Sequence, residues 1–419
     1  MRLTLLHTND IHGRQERIAQ IATLIERERR LAPHRVLYLD AGDVEESTNR
    51  LSNVTKGAAM HRLLGHTSCD AATVGNACWI RYGPGVLAEH ARVAPYPLLL
   101  GNFKPVDGPV PSVLLGDVGV FGLSDPFREL GDVDWGFEAL DEVEVARRLA
   151  RGLRSRGAEL VVLLSHLGLE TEACWDDRRI AEQLQDDVDV IVGAHSHDLL
   201  PEGERIGRVL VTQAGCFGDH IGRIEVDGNR MRASVEPVAD DVEPSPLVEA
   251  EARRIEAEVG ELLRARVGEV DVPLDGSWIA DMLRRRMNAE VGLFCEGLTL
   301  GVLPPGPVTL GALIDVSETG ANPGVTTMTG AQLRDLIARG GDPAFVAETP
   351  RSLRGRIRGR LHVRGLEPDE LVDEQTYTVA GTDWELNPYG GYARAEWNLP
   401  VRYDFPTIVR EAIEEDLAE

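Results

Sequence analysis

The stretch Val190-Ile191-Val192-Gly193-Ala194-His195-Ser196-His197 constrains the fold of this chain more than any other. A short apolar run stops at Gly193, and two histidines follow one residue apart. The run is too short for a helix and reads as a buried strand, with the imidazoles on the turn beyond its end. A His-x-His pair alone is weak evidence for a metal. The arrangement recurs, however. The run Leu3–Leu6 is followed by Asp10 and His12, and Val36–Leu39 by Asp43. Ala71–Val74 is followed by Asn76, and Leu160–Leu164 by His166. In open parallel sheets, sites form outside the carboxyl ends of the strands, so five such loops can converge on one crevice.

The donors collected this way are Asp10, His12, Asp43, Asn76, His166, His195 and His197. Two carboxylates, four imidazoles and one amide suit a pair of borderline divalent cations such as Mn, Zn, Fe or Co. A carboxylate can bridge two ions about 3.5–4 Å apart, a spacing used for in-line displacement at phosphorus. Each donor also has a plainer reading. Asp10 can cap the helix that begins near Gln15, and Asp43 and Asn76 suit turns. Five coincidences at five strand ends favour the dimetal reading.

The 419 residues suggest two or three domains. A net charge of -25 argues against partners that want a basic face, so neither nucleic acid nor an anionic membrane is expected. No segment approaches 18 uninterrupted apolar residues, and no apolar leader precedes the first strand. The five scattered cysteines, Cys69, Cys78, Cys174, Cys216 and Cys295, form no Cys-x-x-Cys. Together these features predict a reduced, cytoplasmic protein.

Residues 1–240 alternate strands with amphipathic segments, including Gln15–Arg30, Ala58–Leu64, Gly85–Val93, Val143–Arg156 and Arg178–Leu184. Val209–Thr212 and Ile224–Val226 continue what reads as a βαβ series. An α/β sandwich or doubly wound sheet is expected. Residues 241–268 form a linker and connecting helix: the acidic, proline-bearing Asp240–Pro246 leads into helical spacing over Pro246–Val267. Residues 269–419 form a second α/β domain. Its expected elements are helices at Trp278–Asn288 and Ala331–Arg339, with strands at Val291–Cys295, Arg358–Val363 and Thr376–Ala380.

These residues resemble the 5'-nucleotidase/2',3'-cyclic phosphodiesterase family, which joins a calcineurin-like metallophosphoesterase domain to a 5'-nucleotidase C-terminal domain. Five ordered motifs carry the resemblance. They are Thr8-Asn9-Asp10-Ile11-His12-Gly13, Ala41-Gly42-Asp43, Gly75-Asn76, Ser165-His166-Leu167-Gly168 and Gly193-Ala194-His195-Ser196-His197. The resemblance implies a four-layer α/β sandwich followed by an α/β substrate domain. It implies that Asp43 bridges two metals, with Asp10, His12 and His197 on one and Asn76, His166 and His195 on the other. It further implies a hydrolase in which water activated by the metals attacks a nucleotide or other small phosphoester in line.

The chain also departs from the family pattern. The third motif usually continues Gly-Asn-His-Glu-Phe-Asp, whose His–Asp pair stabilises the phosphoryl transition state or assists the leaving group. Here it continues Gly75-Asn76-Ala77-Cys78-Trp79-Ile80. Ala77 offers no side-chain proton, so an attenuated hydrolase is expected, since a missing general acid typically loses about 10²–10⁴ in rate. Arg81, His61, His66, His90 and His220 are candidate substitutes, although surface or helix positions suit each of them. In the second domain the family's Asn-Gly-Gly-Gly-Ile-Arg aligns with Cys295–Leu300, so Leu300 stands where an arginine would meet phosphate and Glu296 adds a repelling charge. Trp384 and Tyr392 align with the substrate pocket, where Trp384 would stack on a base; both rings filling core is an equal alternative. The partner aromatic is missing near Thr319–Ala321. These departures keep open a second reading, a metal-bearing binding protein of the same fold that has lost catalysis.

Overall fold

The computed structural model describes residues 1–46, 49–77, 79–127, 136–169, 176–317, 320–350, 353, 356–366, 368–405 and 407–418. Cys78, Cys174 and position 319 therefore lie outside the described residues. The chain divides into two units, Met1–Glu258 and Val259–Glu419. The boundary falls within the helix Pro246–Arg264.

The described strands of the first unit are β1 (Arg2–Thr8), β2 (Arg35–Asp40), β3 (Ala71–Thr73), β4 (Leu98–Leu99), β5 (Ser112–Leu115), β6 (Val118–Ser124), β7 (Leu160–His166), β8 (Val190–Gly193), β9 (Glu204–Ile206), β10 (Val209–Thr212), β11 (His220–Asp227) and β12 (Arg230–Pro237). They form two six-stranded sheets, ordered β12-β11-β1-β2-β3-β4 and β5-β6-β7-β8-β10-β9. Alternation along each strand assigns its two faces. Leu3 and Leu5 of β1 share one core with Leu160, Val162 and Leu164 of β7, so the sheets pack on each other. The intervening Val161 and Leu163 pack instead on Val143, Ala146, Ala150 and Leu153 of the helix Glu142–Ser155. Those four residues follow helical spacing, and the Asp141 side chain caps the helix by accepting the Glu144 N–H at 2.8 Å. Strands buried on both faces need apolar residues at every position, which explains the continuous runs read from the sequence.

Parallel pairing brings the chemistry-bearing ends together. Thr8 lies opposite Asp40, and Asp40 opposite Ala72. In the other sheet Ser124 lies opposite His166, and Ser165 opposite Gly193. The loops leaving β1, β2, β3, β6, β7 and β8 therefore emerge from corresponding strand ends.

Of the sandwich and the single doubly wound sheet, the structure has the sandwich. One detail of this unit differs from the sequence expectations. Ile224–Val226 does not continue a βαβ series; it lies in β11, antiparallel to both β1 and β12. The signal was present in the sequence, because Gly228-Asn229 makes a two-residue hairpin turn with Asp227 opposite Arg230 and Gly228 at φ +59°.

The second unit has a five-stranded sheet, ordered Leu361–Arg364, Val291–Cys295, Thr376–Thr382, Pro323–Thr329 and Arg402–Tyr403. The strand expected from Arg358 begins at Leu361. The helix Gly276–Arg286 packs on this sheet, capped by Asp275, whose side chain accepts the Ser277 and Trp278 N–H groups at 2.9 Å. No helix among the described residues is long and apolar enough to cross a membrane. The described cysteines Cys69, Cys216 and Cys295 are free.

Candidate metal centre

All seven donors read from the sequence lie at the strand ends just described, and the structure brings them together. The loops are stitched by backbone. The Asp10 N–H donates to Gly42 O and the His12 N–H to Asp43 O, both at 2.9 Å. Asn9 fastens a third loop: its Nδ2 donates to Gly215 O at 2.6 Å, and its Oδ1 accepts the Ala214 N–H at 2.9 Å. Five of the seven donors hold left-handed backbone: Asp10 (φ +50°), His12 (+49°), Asp43 (+55°), His195 (+68°) and His197 (+60°). Such conformations are costly for residues with a Cβ, and they cluster where function over-determines the backbone. Gly75 is needed for a different reason: a Cβ there would lie 2.1 Å from Asp43 Oδ1.

Two groups of ligand atoms result. His12 Nε2 and His197 Nε2 are 3.0 Å apart, with Asp10 Oδ1 at 3.8 Å and 3.5 Å from them. His166 Nε2 lies 3.1 Å from Asn76 Oδ1 and 3.3 Å from Asp43 Oδ2, while His195 Nδ1 lies 2.9 Å from the same Asn76 oxygen. Asp10 Oδ1 is 3.9 Å from His166 Nε2, so Asp10 reaches toward both groups.

The donor chemistry fits metal. His166 Nδ1 bonds Ala41 O at 2.8 Å, and a carbonyl only accepts, so Nδ1 carries a hydrogen. A neutral His166 then points a lone pair from Nε2 at two further acceptors, Asn76 Oδ1 and Asp43 Oδ2. Acceptors facing acceptors in a buried pocket call for a proton or a cation between them. The bond from His166 Nδ1 to a carbonyl is also the usual way a protein orients a metal-binding imidazole.

The electrostatics agree. Burial works to raise the Asp10 carboxyl, but His197, His166 and His12 outweigh it and hold it below its ordinary range. Asp43 is likewise lowered against burial, by His166, His12 and the Ala77 N–H. Burial works to lower both His166 and His197. Asp43 and Asp10 nevertheless raise His166 to about 10, and Asp10 and Cys216 raise His197 to about 9. Burial and the neighbouring His166 push His195 down to about 4. Both raised histidines thus carry protons at neutral pH in the metal-free chain, and that contribution to stability is lost as pH rises through 9–10. Metal takes the neutral ring, so binding should release about two protons at pH 7 and tighten with rising pH up to that range. Calorimetry with Mn in two buffers of different ionisation enthalpy measures the count; a value near zero would mean that the rings are already neutral.

Sequence reasoning missed two carboxylates here. Asp125 Oδ2 lies 3.6 Å from His195 Nε2. It follows β6 in the same strand-end pattern as the other donors, but Gly119 and Gly122 interrupt the apolar run. Gly122 is required where the sheets meet, since a Cβ would lie 2.3 Å from Thr73 Oγ1. Glu46 Oε2 lies 3.5 Å from His12 Nδ1, and its Oε1 accepts from Arg81 at 2.9 Å. Of the five candidate substitutes for the missing histidine, Arg81 reaches the donors through Glu46. His66 is exposed near Glu251, and His220 lies on β11. His61 and His90 pack with Glu45 in a cluster of their own.

In the second unit, Leu300 is exposed and Glu296 accepts the Arg360 N–H at 3.1 Å. Trp384 is 5% exposed and Tyr392 0%, both within the unit's core. The Arg358 guanidinium lies 5.8 Å and 5.4 Å from their ring centres and 3.8 Å from that of Phe345. In this structure the two rings lie in the core around a buried arginine.

The sequence matches the calcineurin-like phosphoesterase model over residues 3–199 and the 5'-nucleotidase C-terminal domain model over residues 263–395. Among curated relatives, the uncharacterized metallophosphoesterase YunD of Bacillus subtilis is 26% identical, covering 99% of this chain and 96% of its own length. Bovine 5'-nucleotidase is 26% identical over 71% of this chain, a match that spans only 59% of the bovine protein. Among solved structures, a 5'-nucleotidase precursor from Thermus thermophilus aligns with a TM-score of 0.64 at 22% identity, covering 100% of this chain and 96% of the other. At that identity the likeness shows the fold.

Proposed function

Because the chain belongs to the family that joins a calcineurin-like phosphoesterase domain to a 5'-nucleotidase C-terminal domain, we propose that it hydrolyses a nucleotide or another small phosphoester at a two-metal centre. The observation that carries this reading is the convergence of the seven strand-end donors into two adjoining groups, His12, His197 and Asp10 in one and His166, His195, Asn76 and Asp43 in the other. Asp10, His12 and His197 would hold one divalent ion and Asn76, His166 and His195 the other, with Asp43 shared. When bound, the ions supply Lewis-acid polarisation of the phosphoryl oxygens and make a nucleophile of water at neutral pH.

The protein's own groups orient and exclude. Asn76 turns Oδ1 toward His166 and His195, which leaves its amide nitrogen to meet a phosphoryl oxygen. Asp125 would steady the His195 ring, and the Ala77 N–H holds Asp43 Oδ1 at 2.7 Å. At Ala77 no side chain can hand a proton to the departing oxygen. Departure then depends on the acidity of the leaving group itself, so aryl phosphates and bis-aryl phosphodiesters should outrun AMP. The test is hydrolysis by Mn-loaded protein of p-nitrophenyl phosphate, bis-p-nitrophenyl phosphate, AMP and 2',3'-cyclic AMP in parallel. Aryl esters are expected to be cleaved at least about a hundredfold faster than AMP, the low end of what general-acid help contributes. No turnover of any of the four by metal-replete protein would instead favour the metal-bearing binding protein.

A further inference from the structure

A second cluster of metal-competent side chains lies in the first unit and is used by none of the chemistry above. Glu45 follows Asp43 by two residues on the loop after β2. His61 comes from the helix Ala58–Gly65 and His90 from the helix Val86–Val93. All three are buried, and one ligand atom from each lies within 4.8 Å of the others.

The hydrogen bonds around the cluster leave a conflict. His90 Nε2 lies 2.7 Å from Lys56 O, and because a carbonyl only accepts, Nε2 carries the hydrogen. The neutral ring's Nδ1 is then a lone pair. That atom is buried without a hydrogen-bond partner and faces Glu45 Oε1 at 3.4 Å, another acceptor. His61 Nε2 reaches the same Glu45 oxygen at 2.6 Å, and His61 Nδ1 lies 2.8 Å from Tyr96 Oη. A lone pair and a carboxylate oxygen held together away from water are costly unless something positive lies between them.

We propose that Glu45, His61 and His90 form a separate mononuclear site for a divalent transition metal of the zinc class. Two imidazoles and one carboxylate are a zinc ligand set, and ligands about 2.0–2.1 Å from an ion sit roughly 3.3 Å apart in a tetrahedron. The separation of Glu45 from His90 already fits, while the closer approach of His61 to Glu45 opens as the ion enters. Both rings have the outer partner that metal-binding histidines use to fix their orientation: Lys56 O for His90, Tyr96 Oη for His61. Burial of the whole cluster means that the ion enters as the chain folds and then tethers the two helices to the loop that carries Asp43. The site stands apart from the hydrolase reading, since it uses none of the seven donors.

The test is the full chain produced in zinc-supplemented medium and crystallised, with anomalous scattering recorded on both sides of the zinc edge. The expected result is a zinc peak about 2.0–2.2 Å from a Glu45 oxygen, His61 Nε2 and His90 Nδ1. The His90→Leu protein should lose one zinc per chain by elemental analysis while keeping those at the strand-end centre. An empty cluster in zinc-replete wild-type crystals would overturn the proposal, as would an unchanged zinc count in His90→Leu. The wild-type map decides the matter even if the variant does not fold. Zinc at the cluster with no phosphoesterase activity would leave this site standing and count only against the hydrolase.

Discussion

Asp43→Ala protein is expected to lose hydrolysis of p-nitrophenyl phosphate by about 10³-fold or more, because a Lewis-acid ion is worth several kcal/mol in the transition state. Asp43 joins three parts of the centre. Its Oδ1 accepts the Ala77 N–H at 2.7 Å, its Oδ2 faces His166 Nε2 at 3.3 Å, and its carbonyl accepts the His12 N–H at 2.9 Å. Alanine keeps only the last of these. The loss of charge should also release His166, which Asp43 raises toward 10 against burial, so the free imidazole becomes neutral nearer physiological pH. Metal content should fall by at least one ion per chain, measured by elemental analysis after gel filtration. Asp43→Asn separates charge from shape: it keeps an acceptor for Ala77 and should still lose most of the activity. Near wild-type turnover in either variant, with far-ultraviolet circular dichroism unchanged, would remove Asp43 from the shared position and the two-metal reading with it.

The centre was legible in the sequence because two physical requirements leave marks on composition. Strands buried on both faces must be apolar throughout, and the polar residues that follow them stand out by contrast. That contrast located Asp10, His12, Asp43, Asn76, His166, His195 and His197 without any contact information. It failed at Asp125, where close approach of the sheets demands Gly119 and Gly122 and breaks up the apolar run of β6. The strand Pro323–Thr329 was hidden for a similar reason, since it opens on proline and glycine, which ordinarily argue against a strand interior. Trp384 and Tyr392 show a different limit. An aromatic ring suits a core and a base-stacking pocket equally well. Their burial around Arg358 comes from contacts with Phe345 and Gly390, which no local pattern announces. The Glu45, His61 and His90 cluster was invisible for the same reason, because its members come from one loop and two helices.

The replacement Ala77→His should raise turnover of AMP by about 10²-fold while changing p-nitrophenyl phosphate only a few-fold, since general-acid help matters most for a poor leaving group. The position is well placed for the experiment. Ala77 adjoins Asn76, donates its N–H to Asp43, and is 4% exposed, so a side chain there starts beside the donors rather than in solvent. The segment beyond it is anchored: Trp79 is fully buried, with its ring edge-on to Phe137 at 4.9 Å and to Phe103 at 6.0 Å. The place of the family's orienting aspartate is held by Ile80, which cannot orient an imidazole. A lone histidine would sample several rotamers and spend part of its time misplaced. Adding Ile80→Asp should therefore increase the AMP rate further, and that increment should vanish when Ala77 is restored, which a double-mutant cycle measures. Metal content should stay at the wild-type value throughout. An equal gain on AMP and the aryl ester would mean that the histidine stabilises the phosphoryl group rather than the leaving oxygen. No gain on either, with metal content unchanged, would show that catalysis here is limited elsewhere, and Ala77 would cease to explain an attenuated enzyme.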